Sequence, residues 1–317
     1  MIEYLAFRLA YTLSRWLSFR SLYFLSDIVY FFLYHIFRYR RDVVFSNLRR
    51  AFPEYTDKQI EDIAKKYYRH LSDMFLETLK FFSLNQEQLK QHFHVENPEE
   101  LNKYYYFHKN VIMAGAHIGN WELGPLSSPY WFKHQIVVIY KPIHNQRINA
   151  FIKRKRTKHG SRMISIDITA RSFSYGDKPF CVVMLSDQNP PNPDKSIWVN
   201  FLGIPTATLH GLELYAKRYN LPVLYFDMRK VKRGYYSVRI ETLIHEPKDE
   251  PKGAITYKYM KRVEQAIKEK PHLWLWSHKR WKHTYDPQKY KLYDFSQQEA
   301  TSTTVAETSQ DRISNLK

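Results

Sequence analysis

A chain of 317 residues is long enough to bury a sizeable core in one compact domain with appendages. Its 49 Lys and Arg against 31 Asp and Glu give a formal net charge of +18, which points to anionic partners: nucleic acid, anionic lipid headgroups or an acidic protein. A single cysteine, Cys181, excludes an intrachain disulfide framework and fits a cytoplasmic setting, while 25 Tyr, 20 Phe and 7 Trp favour a membrane–water interface over stacking on bases.

Residues 1–20 carry Ile2, Leu5, Leu9, Leu13 and Trp16 on one helical face, with Arg8 and Arg15 to the side, which predicts an amphipathic helix. Residues 22–37 are almost wholly apolar, yet the run is shorter than the roughly 20 residues a spanning helix needs and contains Asp27. Arg38, Arg40 and Arg41 follow, placed to reach lipid phosphates. Residues 1–41 therefore predict a membrane anchor, interfacial or marginally spanning; the alternative is a pair of helices packed on the main domain. Glu3 and the early arginines argue against a secretory signal.

Thr56-Asp-Lys-Gln59 reads as a capping box, and Ile60, Ile63, Tyr67, Leu71, Phe75 and Leu79 then recur at helical spacing. Short apolar runs at 111–116, 136–140, 180–186 and 223–226 predict strands, separated by segments long enough for helices. This alternation predicts an α/β fold, a mixed, largely parallel sheet flanked by helices. Lys232-Arg-Gly234 predicts a hairpin into 235–240, hence an antiparallel part, and 254–270 a last long helix stopped before Pro271. The expected organisation is an anchoring segment at 1–41, a main domain at 42–292 and a polar, disordered tail at 293–317.

The first strand ends in His117-Ile-Gly-Asn-Trp-Glu122. Histidine titrates near neutrality unassisted, and a carboxylate against its far ring nitrogen fixes the tautomer, so His117 and Glu122 form a candidate general-base pair. The competing reading is a histidine closing a strand and a glutamate favouring the positive end of the next helix. Gly115, Gly119 and Gly124 surround the pair in a chain with only 9 glycines, which suggests tight turning or close approach of a ligand.

His117-x4-Glu122, then Leu185-Ser-Asp187-Gln188, then Trp274-Leu-Trp-Ser-His-Lys-Arg280-Trp281-Lys282 together resemble the late lipid A biosynthesis acyltransferases of the lauroyl and myristoyl type. These lie within the lysophospholipid acyltransferase superfamily, and the resemblance covers residues 1 to about 285. It implies a glycerolipid-acyltransferase-like fold at the cytoplasmic face of the cell inner membrane. It further implies that His117 deprotonates an acceptor hydroxyl, that Glu122 orients it, and that the oxygen attacks an acyl thioester without a metal. No cofactor is expected, because the acyl thioester is itself a substrate.

The resemblance also assigns substrate contacts. Arg156, in a Lys-Arg-Lys-Arg run, falls where the superfamily has a phosphate-binding basic residue; the alternative is a solvated basic helix face. Lys141 stands where these enzymes often carry arginine, a departure that puts a bidentate contact there in doubt. Asp187 and Gln188 open a loop that shapes the substrate cleft, near His117 if strand ends converge; the alternative is that Asp187 caps a turn. Arg280 matches a late arginine that contacts an anionic headgroup, or is a surface residue. Backbone N–H groups of Gly119 and Asn120 are candidate oxyanion donors. Cys181, inside a predicted strand, is a poor nucleophile, and no Gly-x-Ser-x-Gly elbow is present.

His92-x-His94 and His278 with His283 lack partners at familiar metal-site spacing, so no metal is expected. The leading expectation is an O-acyltransferase using acyl carrier protein and a phosphorylated glycolipid acceptor on anionic membrane. Within the same superfamily stand lysophospholipid or aminolipid acylation, with coenzyme A as a possible donor. From another class stands a non-enzymatic basic nucleic-acid-binding protein, which the apolar front end and the lack of a zinc-finger or RNA-recognition signature disfavour, so no nucleic acid is expected.

Overall fold

The computed structural model describes residues 1–173 and 178–296. Three helices open the chain, α1 (Ile2–Trp16), α2 (Phe19–Phe31) and α3 (Arg41–Ala51), and the long α4 (Asp57–Phe81) follows. The predicted capping box is formed: Thr56 Oγ1 accepts the Gln59 N–H and Gln59 Oε1 accepts the Thr56 N–H. Short helices α5 (Gln86–His92) and α6 (Glu99–Tyr106) flank strand β1 (Phe93–Val95).

The core strands come next in alternation with helices. They are β2 (Val111–Gly115), α7 (Leu123–Ser127), β3 (Gln135–Tyr140), α8 (Gln146–Arg156), β4 (Arg162–Ser165) and β5 (Phe180–Leu185). After a hairpin of β6 (Ile197–Phe201) and β7 (Ile204–Thr208) the chain makes α9 (Gly211–Tyr219), the long hairpin β8 (Val223–Lys232) and β9 (Tyr235–Ile244), α10 (Ala254–Glu269) and β10 (Leu292–Tyr293).

Among the described residues, seven strands form the main sheet in the order β1-β9-β8-β2-β5-β3-β4, and β10-β6-β7 form a smaller one. Every pairing in the main sheet is parallel except β8 with β9, as the hairpin reading anticipates. Alternation along β2 divides the core between the two faces of the sheet. Ile112 and Ala114 join one buried cluster with residues of α9 and α10, while Val111 and Met113 join another with α5, α6 and α7. All five β2 residues are buried, as expected for a parallel strand covered on both faces.

Two expectations need adjustment. On α4, Phe75 points outward and is 53% exposed, while His70, Asp73 and Glu77 are buried, so tertiary contacts override the apolar stripe. Among the described residues no helix is long and apolar enough to cross a membrane. Ile2, Leu5, Leu9, Leu13 and Trp16 nevertheless all face outward on α1, and Phe24, Ile28 and Phe31 do so on α2. Tyr293 pairs with Val199 and Phe295 packs against the core, so the main domain continues past 292; the tail expected beyond 296 lies outside the described residues.

Candidate active site

The parallel register of β2 and β5 sets Gly115 opposite Leu185. Two residues later on each strand come His117 and Asp187, so strand pairing alone carries the two side chains to the same edge of the sheet. Asp187 Oδ1 lies 2.7 Å from His117 Nδ1, and Asp187 Oδ2 accepts the His117 backbone N–H at 2.9 Å and the Trp274 indole N–H at 2.8 Å. The carboxylate is thus a clamp on both backbone and ring. Burial on its own pushes the Asp187 carboxyl up, but the charge and hydrogen bonds of His117 and the Trp274 bond outweigh it and hold the pKa at about 2.

An ionised acid at Nδ1 selects the tautomer with the proton on Nδ1 and leaves the Nε2 lone pair free to take a proton. The His117 side chain keeps 16% exposure while Asp187 keeps 1%. Trp121 meets the imidazole edge-on, with ring centroids 5.0 Å apart. The segment 273–275 runs beside the loop, with Trp274 bridged to Ile118: Gly119 N–H donates to Leu273 O and Leu275 N–H to His117 O. Trp274, quoted in the sequence motif without a role, therefore belongs to the base's support; an indole N–H beside a carboxylate is invisible before the fold brings them together.

Glu122 does not partner His117, contrary to the sequence expectation. Its two oxygens take a bidentate pair from Arg156, Nε to Oε2 at 2.8 Å and Nη2 to Oε1 at 2.5 Å. The reason is geometric: Nδ1 is already occupied by Asp187, and Glu122 sits at the start of α7, facing the last turn of α8. The two side chains are 18% and 16% exposed, so this pair lies at the rim of the site. Arg156 is accordingly not an unengaged guanidinium on a solvated helix face. Lys141 is exposed and Gln188 half-buried beside Asp187.

Two further expectations are corrected. Gly119 N–H is committed to Leu273 O and is not free to meet an oxyanion. Asn120 is fully buried, its side-chain amide donating to Glu77 Oε2 and accepting from Thr78 Oγ1. Arg280 is 1% exposed, donates to Ala207 O at 2.8 Å and lies over the Phe201 ring, so it is no headgroup contact on the surface.

Of the glycines, Gly115 is required because a Cβ there would sit 2.1 Å from the Phe226 ring, and Gly119 because its φ is +64°. At Gly124 a Cβ would meet no atom within 4 Å, so space gives no reason for glycine there. Burial pushes the Cys181 thiol up, against a nucleophilic role. His92 bonds Gly234 O and His283 bonds Pro190 O, and among the described residues no group of three or more His, Cys, Asp or Glu is arranged to hold a metal ion.

The model of a family described as bacterial lipid A biosynthesis acyltransferase matches residues 4–283. A lipid A biosynthesis palmitoleoyltransferase of Escherichia coli (strain K12) is 23% identical over 246 residues, covering 77% of this chain and 79% of that protein. A lipid A biosynthesis acyltransferase of Shigella flexneri aligns with the same identity and coverage.

Proposed function

The chain belongs to the bacterial lipid A biosynthesis acyltransferase family and is an acyltransferase, and from that premise we propose that it acylates a hydroxyl of a lipid A precursor or similar glycolipid. The donor in this reading is an acyl thioester on an acyl carrier protein, whose acidity suits a chain of net charge +18. The observation that carries the reading is the 2.7 Å contact between Asp187 and His117 Nδ1, which leaves Nε2 as a base at an open position.

The acceptor hydroxyl gives its proton to Nε2 as its oxygen bonds to the thioester carbonyl carbon. The tetrahedral adduct then collapses, the carbon–sulfur bond breaks, and the imidazolium returns the proton to the departing sulfur. The products are an ester and a free thiol, with the histidine restored. Asp187 stabilises the imidazolium throughout. Arg156 and Glu122 form the recognition edge for the phosphorylated acceptor: a guanidinium that holds a carboxylate bidentately is shaped to hold a phosphate the same way.

The outward apolar faces of α1 and α2 dock the enzyme on anionic membrane, at the cytoplasmic face of the inner membrane. Each Leu or Ile fully withdrawn from water there contributes about 1.5–3 kcal/mol. Arg38 and Arg40, both exposed, lie next to that surface in sequence and contact lipid phosphates.

The test incubates purified enzyme with labelled acyl carrier protein and a panel of lipid acceptors, including a lysophospholipid, and reads products by lipid mass spectrometry. His117→Ala should lower kcat by about 10³-fold or more with the fold retained. Undiminished transfer by that variant sinks the base assignment. Replacing Leu9 and Leu13 by Glu should abolish flotation with anionic liposomes, and equal flotation would refute docking by α1.

A further inference from the structure

The loop carrying both members of the original pair is held from beneath by one face of α4. Gly119 O accepts from His70 Nε2 at 3.3 Å, Asn120 Oδ1 accepts from Thr78 Oγ1 at 3.3 Å, and Asn120 Nδ2 donates to Glu77 Oε2 at 3.1 Å. The backbone oxygen of Asn120 in turn accepts the Leu123 N–H and starts the turn that presents Glu122. Asn120 is therefore the hinge pin between His117 and the rim pair.

Glu77 is fully buried, a costly place for a carboxylate unless donors surround it. Three do, each from a different part of the molecule: Tyr23 of α2 to Oε1 at 3.0 Å, Tyr236 of β9 to Oε2 at 2.7 Å, and Asn120 of the loop. An apolar side chain of the same size would leave all three without an acceptor, whereas a glutamine can keep its oxygen toward Tyr236 and Asn120 and turn its NH2 to the Tyr23 hydroxyl, which can accept. His70 completes the cradle. Burial, aided by the charge of Lys230, lowers its pKa to about 3, so the ring is neutral, donating from Nε2 to Gly119 and accepting at Nδ1 from Lys230 Nζ.

We propose that Glu77 is a positioning residue for acyl transfer: through Asn120 it fixes the loop on which His117 and Glu122 are mounted. This rests on the reading of His117 as the base. The acceptor's hydroxyl must meet Nε2 while its headgroup meets the rim, and the distance between those two points is set by a loop of four residues. Glu77 touches neither point, so its effect is on geometry, and it appears in turnover more than in affinity. A displacement of about 1 Å in such an arrangement costs on the order of a hundredfold in rate.

The experiment measures kcat and KM for Glu77→Leu, Glu77→Gln, Asn120→Ala and Tyr236→Phe, with hydrogen exchange read on the peptide spanning 116–123. Glu77→Leu should lower kcat about thirtyfold with KM held within about threefold, and exchange in the loop should rise. Asn120→Ala should do the same, and it carries the test if Glu77→Leu fails to fold. Glu77→Gln keeps an acceptor facing Asn120 and should recover kcat to within about fivefold of wild type. Tyr236→Phe removes a donor from the same carboxylate without touching the loop and should keep kcat within about threefold.

A wild-type kcat in Glu77→Leu and Asn120→Ala, a loss confined to KM, or an equal loss in Tyr236→Phe or Glu77→Gln overturns the proposal. His117→Ala separates this failure from that of the base. If His117→Ala stays active the base reading falls, whereas an inactive His117→Ala beside unaffected Glu77→Leu and Asn120→Ala removes the positioning role alone.

Discussion

Two acid–base pairs flank one short loop, and they are built differently. His117 and Asp187 stand at the ends of adjacent parallel strands in the middle of the sheet, with the acid 1% exposed and saturated by three donors. Glu122 and Arg156 stand at helix ends, α7 and α8, and keep 18% and 16% exposure. A buried carboxylate with fixed donors has no alternative partner, which suits orientation of a base. A rim pair in contact with solvent can open and exchange carboxylate for phosphate, which suits recognition. In the proposed reading the contrast separates chemistry from binding within the six residues from His117 to Glu122.

The largest expected effect tests the buried member. Asp187→Asn keeps the shape but removes the charge that stabilises the imidazolium; its one oxygen can still accept the His117 and Trp274 N–H groups, so its NH2 faces His117 Nδ1 and selects the wrong tautomer. It should lower kcat by about 10³-fold with KM nearly unchanged, and kcat within tenfold of wild type would mean that Asp187 only clamps the backbone.

A middle-sized effect tests the rim. Arg156→Ala should raise KM for the phosphorylated acceptor by about tenfold while kcat stays within about threefold, whereas Glu122→Gln, which weakens the carboxylate that phosphate displaces, should leave both within about threefold or lower KM. That asymmetry is the signature of one guanidinium exchanged between two anions. If Glu122→Gln instead drops kcat to the level of His117→Ala, Glu122 serves the base and the division between the pairs collapses.

The smallest effect concerns the support under the first pair. His70 has a folded pKa of about 3 against about 6.5 in the unfolded chain, so it is neutral in the fold. Above pH 6.5 the stability from this neutrality is fully present; as pH falls from there toward 3, only the unfolded chain takes up the proton and the fold loses ground. Between pH 7 and 5 the wild type should lose about 2 kcal/mol more in urea unfolding than His70→Gln, which has no such proton. Equal losses in the two proteins would rule out His70 as the titrating group.

Much of this architecture was readable before any coordinates. The apolar runs at 111–116 and 180–186 became β2 and β5, the capping box opened α4, and Lys232-Arg-Gly234 turned the β8–β9 hairpin. Strands β1, β4, β6, β7 and β10 escaped; β1 and β10, of three and two residues, carry too little periodicity to stand out. His117 and Asp187 were both singled out, but the partnership went to Glu122 because it is five residues away, whereas Asp187 is seventy away in sequence and adjacent only through strand register. Glu77, His70 and Asp73 carry no signal in the sequence, and Arg280 reads there as a headgroup contact or a surface residue, because burial of a charged residue leaves no mark in a single sequence.

Sequence alone determined the elements and the chemistry available: periodicity and capping act over a few residues, and a histidine ending an apolar run is a local fact. It also determined the outward apolar face of α1, since an amphipathic pattern is written in the spacing of Ile2, Leu5, Leu9, Leu13 and Trp16. Only the tertiary structure decided which acid serves the base, which arginine lies at the rim and which lies in the core, and which helix holds the loop. Those are choices among groups of equal chemistry, made by the register of parallel strands and by the need of each buried donor to find an acceptor.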